Sequence, residues 1–294
     1  MLAPYWVLTI SVVSLSFSAV FVRFGESDPI VIAAYRTLFA SVMILPLLYF
    51  ERRSISIYSR DIGIMVGIGV ILAIHLGLWI TSVTLTSIAN SVILVQIHPI
   101  FVGAFGYLLF REKLSSRSVL GVGLGLLGIL VMIGVPSGTF PQEGLGNIMA
   151  FLGGLALGAY LLLGKQLRQS VSISFYAFSV YSVATLVLFL TALVQGKNLV
   201  PGPDLGREIT ILIIYGFSAG IMGHTLYNWA LRYVPATMVS LSLLGEPVIA
   251  PFLAFLIFRE TVSIQTLLGG IMILVGIYLA RQNFLRYEED YKKS

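Results

Sequence analysis

Apolar stretches about as long as a membrane helix recur ten times along the chain, separated by short polar or Gly- and Pro-bearing connections. They run from Tyr5 to Val22, Ile30 to Phe50, Ile62 to Thr81, Ile88 to Phe110 and Val119 to Val135. A second set runs from Asn147 to Gly164, Ile173 to Val194, Ile209 to Ala230, Ala236 to Phe258 and Ile264 to Ala280. A helix needs about 20 apolar residues to cross a bilayer, with a range of roughly 17–25. The runs are continuous where barrel strands would alternate. The pattern therefore predicts an all-α integral membrane protein with ten transmembrane helices. No connection is long enough for a soluble domain, so function is expected in the helices themselves.

Composition points the same way. Hydrophobic residues make up 57% of the chain and charged residues 11%, with a mean hydropathy of +0.96. Soluble domains carry about 25% charged residues. The absence of cysteine excludes disulfides and thiolate metal sites. The Gly164-Lys165 pair lacks the glycine and Ser/Thr of a phosphate-binding loop, so no nucleotide cofactor is expected. The start of the chain has no basic region ahead of its first apolar stretch, which is expected to be a retained helix.

Net charge is +5, and its distribution predicts orientation rather than nucleic-acid binding. Thirteen Lys and Arg residues lie in even-numbered connections and the C-terminal tail, four lie in odd-numbered connections (Arg23, Lys197, Arg207, Arg259), and Arg36 lies within a span. Positive loops stay cytoplasmic, so both termini are expected on the cytoplasmic side of a cell membrane.

The two halves of the chain resemble each other. Phe110 to Ser115 reads FREKLS and Phe258 to Ser263 reads FRETVS, an offset of 258 − 110 = 148. The same offset aligns Pro99 with Pro247, Leu120-Gly121 with Leu268-Gly269, and Gly128-Ile129 with Gly276-Ile277. Five spans is an odd number, so the second copy is expected to lie inverted in the bilayer. Two inverted repeats over 1–137 and 143–283 are predicted, followed by a short charged cytoplasmic tail over 284–294. Inverted repeats recur in secondary transporters, where two halves rock about a central site; a duplicated scaffold without transport is the plainer alternative.

These features resemble the drug/metabolite transporter superfamily, and within it the EamA-domain family. The resemblance rests on two copies of a proline-bearing apolar helix that ends in Phe-Arg-Glu and leads into a Gly-rich helix. It also rests on ALRYVPATMVSLSLLGEPV, Ala230 to Val248, and on Arg36 early in the second span. It implies ten helices, two EamA domains and export or exchange of a small-molecule solute across the lipid bilayer.

Ionisable groups at the bilayer centre are costly and need a reason. Of 13 acidic residues only Glu246 falls near the middle of a span, and His75, His98 and His224 also lie within spans. Glu246 aligns with His98, and each precedes a proline, Pro247 or Pro99. Proline frees the carbonyl four residues earlier, here Leu243 or Val95. A helix broken at that depth is tolerated where it lines a cavity, so both sites are expected to face a solute path and to act in gating. Glu246 is the candidate for binding a substrate amine or exchanging a proton, with a structural ion pair to Arg36 as the alternative. Helical spacing adds Ser242, Asn90, His75, Trp79, Tyr227 and Asn228 as candidate substrate contacts; for Trp79 and Tyr227 a place in an interfacial aromatic belt is equally open. Arg36 is expected to snorkel to the outer surface, with an anionic substrate group as its alternative partner. The histidine spacing predicts no metal site.

The leading expectation is thus a secondary transporter, an exporter or exchanger of amino acids or hydrophobic, drug-like metabolites, working by alternating access, with proton coupling carried by Glu246. An uncoupled facilitator or channel, or a membrane-embedded lipid-modifying enzyme, is the competing reading. The protein is expected to be a monomer or a homodimer, because small-xxx-small glycine pairs such as Gly63 and Gly67 serve internal packing and dimer contacts alike.

Overall fold

The computed structural model describes residues 3–51, 59–110, 116–134, 140–234 and 236–280. The expected FREKLS turn beyond Phe110 and the charged tail therefore fall outside the described residues. Within them the chain is helical, with no strand. Helices α1 (Ala3–Ser16) and α2 (Ser18–Phe24) form the first apolar stretch, followed by α3 (Pro29–Glu51) and α4 (Ser59–Leu85). The fourth stretch is α5 (Ile88–Val95) and α6 (His98–Phe110), and the fifth is α7 (Ser116–Gly134). Then come α8 (Glu143–Leu167), α9 (Ile173–Val194) and α10 (Leu205–Tyr215), a π-helical segment (Gly216–Thr225), and α11 (Leu226–Ala230). The ninth stretch is α12 (Ala236–Ser242), a 3-10 turn (Leu243–Gly245) and α13 (Glu246–Phe258), and α14 (Ile264–Ala280) follows.

Six segments are long and apolar enough to cross a membrane: Pro4–Phe24, Pro29–Phe50, Asp61–Leu85, Glu143–Leu167, Ile173–Val194 and Leu205–Ala230. Four shorter apolar helical segments accompany them, Ile88–Gly103, Val119–Gly128, Leu243–Phe258 and Ile264–Gly276. Large apolar side chains such as Trp6, Phe50, Leu120, Leu130, Val248 and Phe252 point outward. Water would penalise that surface, whereas lipid solvates it.

The spans pack in pairs that respect the offset of 148. Helix α4 lies along α8 and α9, α3 lies along α9, α1 lies on the π segment, and α7 lies along α14. Two positions carry the pairing at atomic contact. Thr185 Oγ1 donates to Thr37 Oγ1 at 2.9 Å, and 185 − 37 = 148. On α7 and α14, a Cβ at Gly128 would sit 2.6 Å from the Gly269 carbonyl, while one at Gly276 would sit 2.5 Å from the Gly121 carbonyl. Those contacts are equivalent, since 269 − 121 and 276 − 128 are both 148. Only glycine allows the two backbones to meet so closely. Gly154, Gly158, Gly216 and Gly220 also pack against neighbouring helices, but Gly63 and Gly67 face open space.

One end of the bundle is tied by charge. Arg23 donates through Nε to the Val83 carbonyl at 2.6 Å, through Nη2 to the Thr86 carbonyl at 2.5 Å, and through Nη1 to Glu260 Oε1 at 2.6 Å. Glu260 Oε2 accepts the Ile88 amide at 2.9 Å, so it caps the start of α5. Arg259, which ends α13, adopts a left-handed φ of 58°, a conformation that non-glycine residues enter mainly at helix ends. The turn places Glu260 between Arg23 and Ile88. Beside this cluster, Glu208 accepts the Glu26 amide at 3.0 Å and the Ser27 hydroxyl at 2.7 Å. Near the end of α8, Lys165 donates to the carbonyls of Leu231 and Val234 at 2.7 and 3.0 Å.

Candidate functional site

Four of the apolar stretches are interrupted, and the interruptions meet. The first breaks at Phe17, where Ser16 Oγ bonds back to the Val12 carbonyl at 2.8 Å; such back-bonding bends helices. The fourth breaks at Gln96 and Ile97, ahead of Pro99. The ninth tightens into its 3-10 turn ahead of Pro247. The eighth widens into a π-helix through Gly216, Gly220 and Gly223, which approach Phe39, Ala40 and Leu15. Its carbonyls accept side chains from outside the ladder: Ser11 Oγ donates to Gly223 O at 2.9 Å, and Tyr181 Oη donates to Gly220 O at 3.1 Å. π-helical turns are rare and concentrate at functional sites.

Between these interruptions lies a cavity of about 30 Å³. Leu15 and Ser18 flank the first break, Val95 ends α5, and Leu243 and Glu246 bracket the 3-10 turn. His224 and Tyr227 come from the end of the π segment and from α11. The uninterrupted helices complete the wall with Arg36, His75, Trp79 and Leu157. That volume admits waters, so in this arrangement of the helices the cavity is closed to a metabolite.

Of the residues singled out in the sequence, Glu246, His75, Trp79, His224, Tyr227 and Arg36 line this cavity together. The imidazole of His75 stacks beside Trp79 with 12° between planes, and its Nδ1 bonds the Gly153 carbonyl at 2.8 Å. His224 Nδ1 lies 2.6 Å from the Tyr227 hydroxyl. Asn228 stands behind that layer, donating to Tyr160 Oη at 2.7 Å and to the His224 carbonyl at 2.6 Å.

Two expectations are corrected. Arg36 does not snorkel. Its residue exposure is 2%, because Tyr215 and the Ala219 carbonyl cover it: the guanidinium lies 5.1 Å from the Tyr215 ring, and Nη2 donates to Ala219 O at 3.3 Å. Trp79 and Tyr227 are likewise buried, so neither belongs to an interfacial belt. The alternative of an Arg36–Glu246 ion pair also fails: the Arg36 guanidinium lies against Tyr215 and the Ala219 carbonyl and makes no ion pair with Glu246.

Other candidates lie elsewhere. His98 is buried between Ser240 Oγ at 2.7 Å and Gln96 Oε1 at 2.9 Å. Asn90 donates to Glu143 Oε1 at 2.9 Å and Thr86 Oγ1 at 3.2 Å, and accepts from Thr266, near the Arg23 cluster. Ser242 is half-buried just before the 3-10 turn. The break at Pro99 thus presents the Val95 end of α5 to the cavity, and not the His98 side chain. Sequence reasoning missed the π segment and the role of Tyr215 beneath Arg36. The run of glycines at 216, 220 and 223 is the signal for the first; nothing local signals the second.

The profile of the EamA-like transporter family matches residues 2–134 and 144–282. The chain belongs to that family. Similar proteins include an uncharacterized transporter of Archaeoglobus fulgidus, 25% identical over 278 residues, covering 93% of this chain and 94% of the relative. The uncharacterized transporter YoaV of Bacillus subtilis is 22% identical over 270 residues, covering 89% of this chain and 90% of the relative. A solved crystal structure superposes with a TM-score of 0.66 at 16% identity, over 97% of this chain and 99% of that one, a likeness that speaks to fold alone. This EamA-like chain is therefore a multi-pass membrane transporter, and the resemblance read from FRETVS and Ala230 to Val248 stands.

Proposed function

We propose that this EamA-like protein is a secondary transporter that exports or exchanges small organic solutes by alternating access around the Glu246 cavity. The observation that carries the reading is the convergence of four interrupted helices on one buried, charge-bearing cavity. Broken helices at membrane depth serve solute sites in transporters, because their freed backbone groups need a polar, protein-lined space.

In this reading the four shorter apolar helices also span the bilayer, giving ten in all. Repeats over 1–137 and 143–283 are inverted copies. The matched contacts Thr37–Thr185, Gly128–Gly269 and Gly276–Gly121 support a two-fold relation between them. Both termini and the 284–294 tail are cytoplasmic in a cell membrane. Glu246 exchanges a proton or holds a substrate amine, facing Arg36 from α3, His75 from α4, and His224 and Tyr227 from the eighth stretch.

The test uses purified protein in liposomes loaded with the twenty L-amino acids, four nucleosides and a cationic dye. Selective loss of one compound relative to empty liposomes is expected, and Glu246→Gln lowers that rate about ten-fold or more. Retention of every compound overturns transport of these solutes. An imposed pH gradient separates a coupled carrier, which concentrates its solute, from a facilitator, which does not.

A further inference from the structure

Two cations grip matched carbonyls at two ends of the bundle. Arg23, at the end of α2 in the first stretch, bonds the carbonyls of Val83 and Thr86 where α4 finishes. Lys165, in the last turn of α8, bonds the carbonyls of Leu231 and Val234 where the eighth stretch finishes. The acceptors keep the repeat offset, since 231 − 83 and 234 − 86 are both 148. Carbonyls at a helix end lack partners within the helix, and a cation there also meets the negative end of the helix dipole.

The cavity lies between the two grips. Leu85 and Thr86 pack on Gly146 near the start of α8. Lys165 comes 165 − 146 = 19 residues later on that helix, about 28 Å by helix rise. Gly153, whose carbonyl meets His75, and Leu157, which lines the cavity, fall between them. Each grip also sits one turn from an aromatic wall of the cavity. Trp79 precedes Val83 by four residues and Tyr227 precedes Leu231 by four, and these two aromatics are themselves 148 apart. On the Lys165 side Asn228 adds a link: its side chain donates to the His224 carbonyl, while its own carbonyl accepts Arg168 Nε at 3.2 Å.

We infer that Arg23 and Lys165 are two latches that close the cavity from opposite faces, and that each must release its pair of carbonyls before its face opens. Both are fastened in this arrangement, in keeping with a cavity closed to a metabolite. Release of Arg23 frees the end of α4 that carries Trp79, and release of Lys165 frees the end of α11 that carries Tyr227. A solute that moves either ring therefore acts on the latch one turn away. The assignment rests on the alternating-access reading, but latch release is measured without transport.

The experiment places one cysteine at Ser18, on the cavity wall, in a chain with none of its own. Labelling by a membrane-impermeant maleimide is timed in intact cells and in inside-out vesicles, which present opposite faces. Arg23→Met and Lys165→Met keep much of the side-chain stem and remove the donors. Each is expected to speed labelling about ten-fold or more over Ser18→Cys alone, one from the outer face and the other from the cytoplasmic face. Lys165→Arg, which still donates, is expected to stay slow. Acceleration by both from one face, by either from both faces, or by neither overturns the inference; a purely structural loosening would not choose a face. Leu243→Cys, on the same cavity wall, repeats the measurement if the Ser18→Cys proteins fail to fold. If labelling chooses faces as expected but no solute leaves loaded liposomes, the transport reading fails and the latches stand. If a solute leaves while labelling is unchanged, the latches fail and the transport reading stands.

Discussion

At the scale of single residues, the cavity is built from groups that local folding does not favour. Arg36 sits where an apolar side chain would be less costly, its guanidinium held against the Tyr215 ring and the Ala219 carbonyl. Replacing buried charge with apolar volume is often neutral or stabilising. Arg36→Met is therefore expected to leave the unfolding free energy unchanged or raise it by up to about 2 kcal/mol. Thermal unfolding of the purified variant beside the parent protein reads it. Glu246 was legible because it is the one carboxylate deep in a span. Arg36 was legible as an oddity but not in its burial. Helix rise measures depth along α3, whereas what covers the guanidinium is Tyr215 and Ala219, some 180 residues further along the chain.

Among the elements, two interruptions announce themselves and two do not. Pro99 and Pro247 remove a backbone donor each, and the chain breaks within a turn before both. The bend at Phe17 depends on a serine back-bond, and the π segment depends on glycines meeting α3. Both are decided by contacts that a periodicity reading treats as ordinary helix. Gly220 shows what the π segment needs: a Cβ there would lie 2.5 Å from the Ala40 Cβ. Gly220→Val is expected to cost about 1–3 kcal/mol by overpacking, seen as a lower melting temperature, and to impair transport.

The Arg23–Glu260 tie is the other element-level device. It joins the ends of α2, α4 and α13 to the start of α5. Glu260→Gln weakens the charge-assisted bonds to Arg23 and the Ile88 amide, by about 1–3 kcal/mol in all. In a chain without native cysteine, a thiol placed at Ser18 reports opening directly. A water-soluble maleimide should reach Ser18→Cys roughly ten-fold faster or more in the Glu260→Gln background. An unchanged rate would show that the tie does not hold the cavity shut.

Over the whole molecule, the offset of 148 carried more than any motif. It aligned the prolines and the Phe-Arg-Glu turns, and it reappears as the Thr37–Thr185 bond and the paired glycine contacts. It misled at one place: alignment of His98 with Glu246 suggested two like groups on the path, but only Glu246 reaches the cavity. The two copies differ at the cavity and stay alike where backbones touch. Gly128→Ala and Gly276→Ala are accordingly expected to destabilise by similar amounts, about 1–3 kcal/mol each, which parallel melting curves would check. A large inequality would mean that the α7–α14 contact is not symmetric in energy.

In the proposed alternating access, those matched backbone contacts are the template for a second shape. Giving each half the pose now held by the other preserves Thr37 against Thr185 and glycine against glycine, because these pairs map onto themselves. The Arg23 end has a counterpart as well, since the Val83 and Thr86 carbonyls that it meets align at 148 with the Leu231 and Val234 carbonyls that Lys165 meets. On that proposal, the energetic difference between the two shapes is set where the halves have stopped being copies, as at Glu246 and His98.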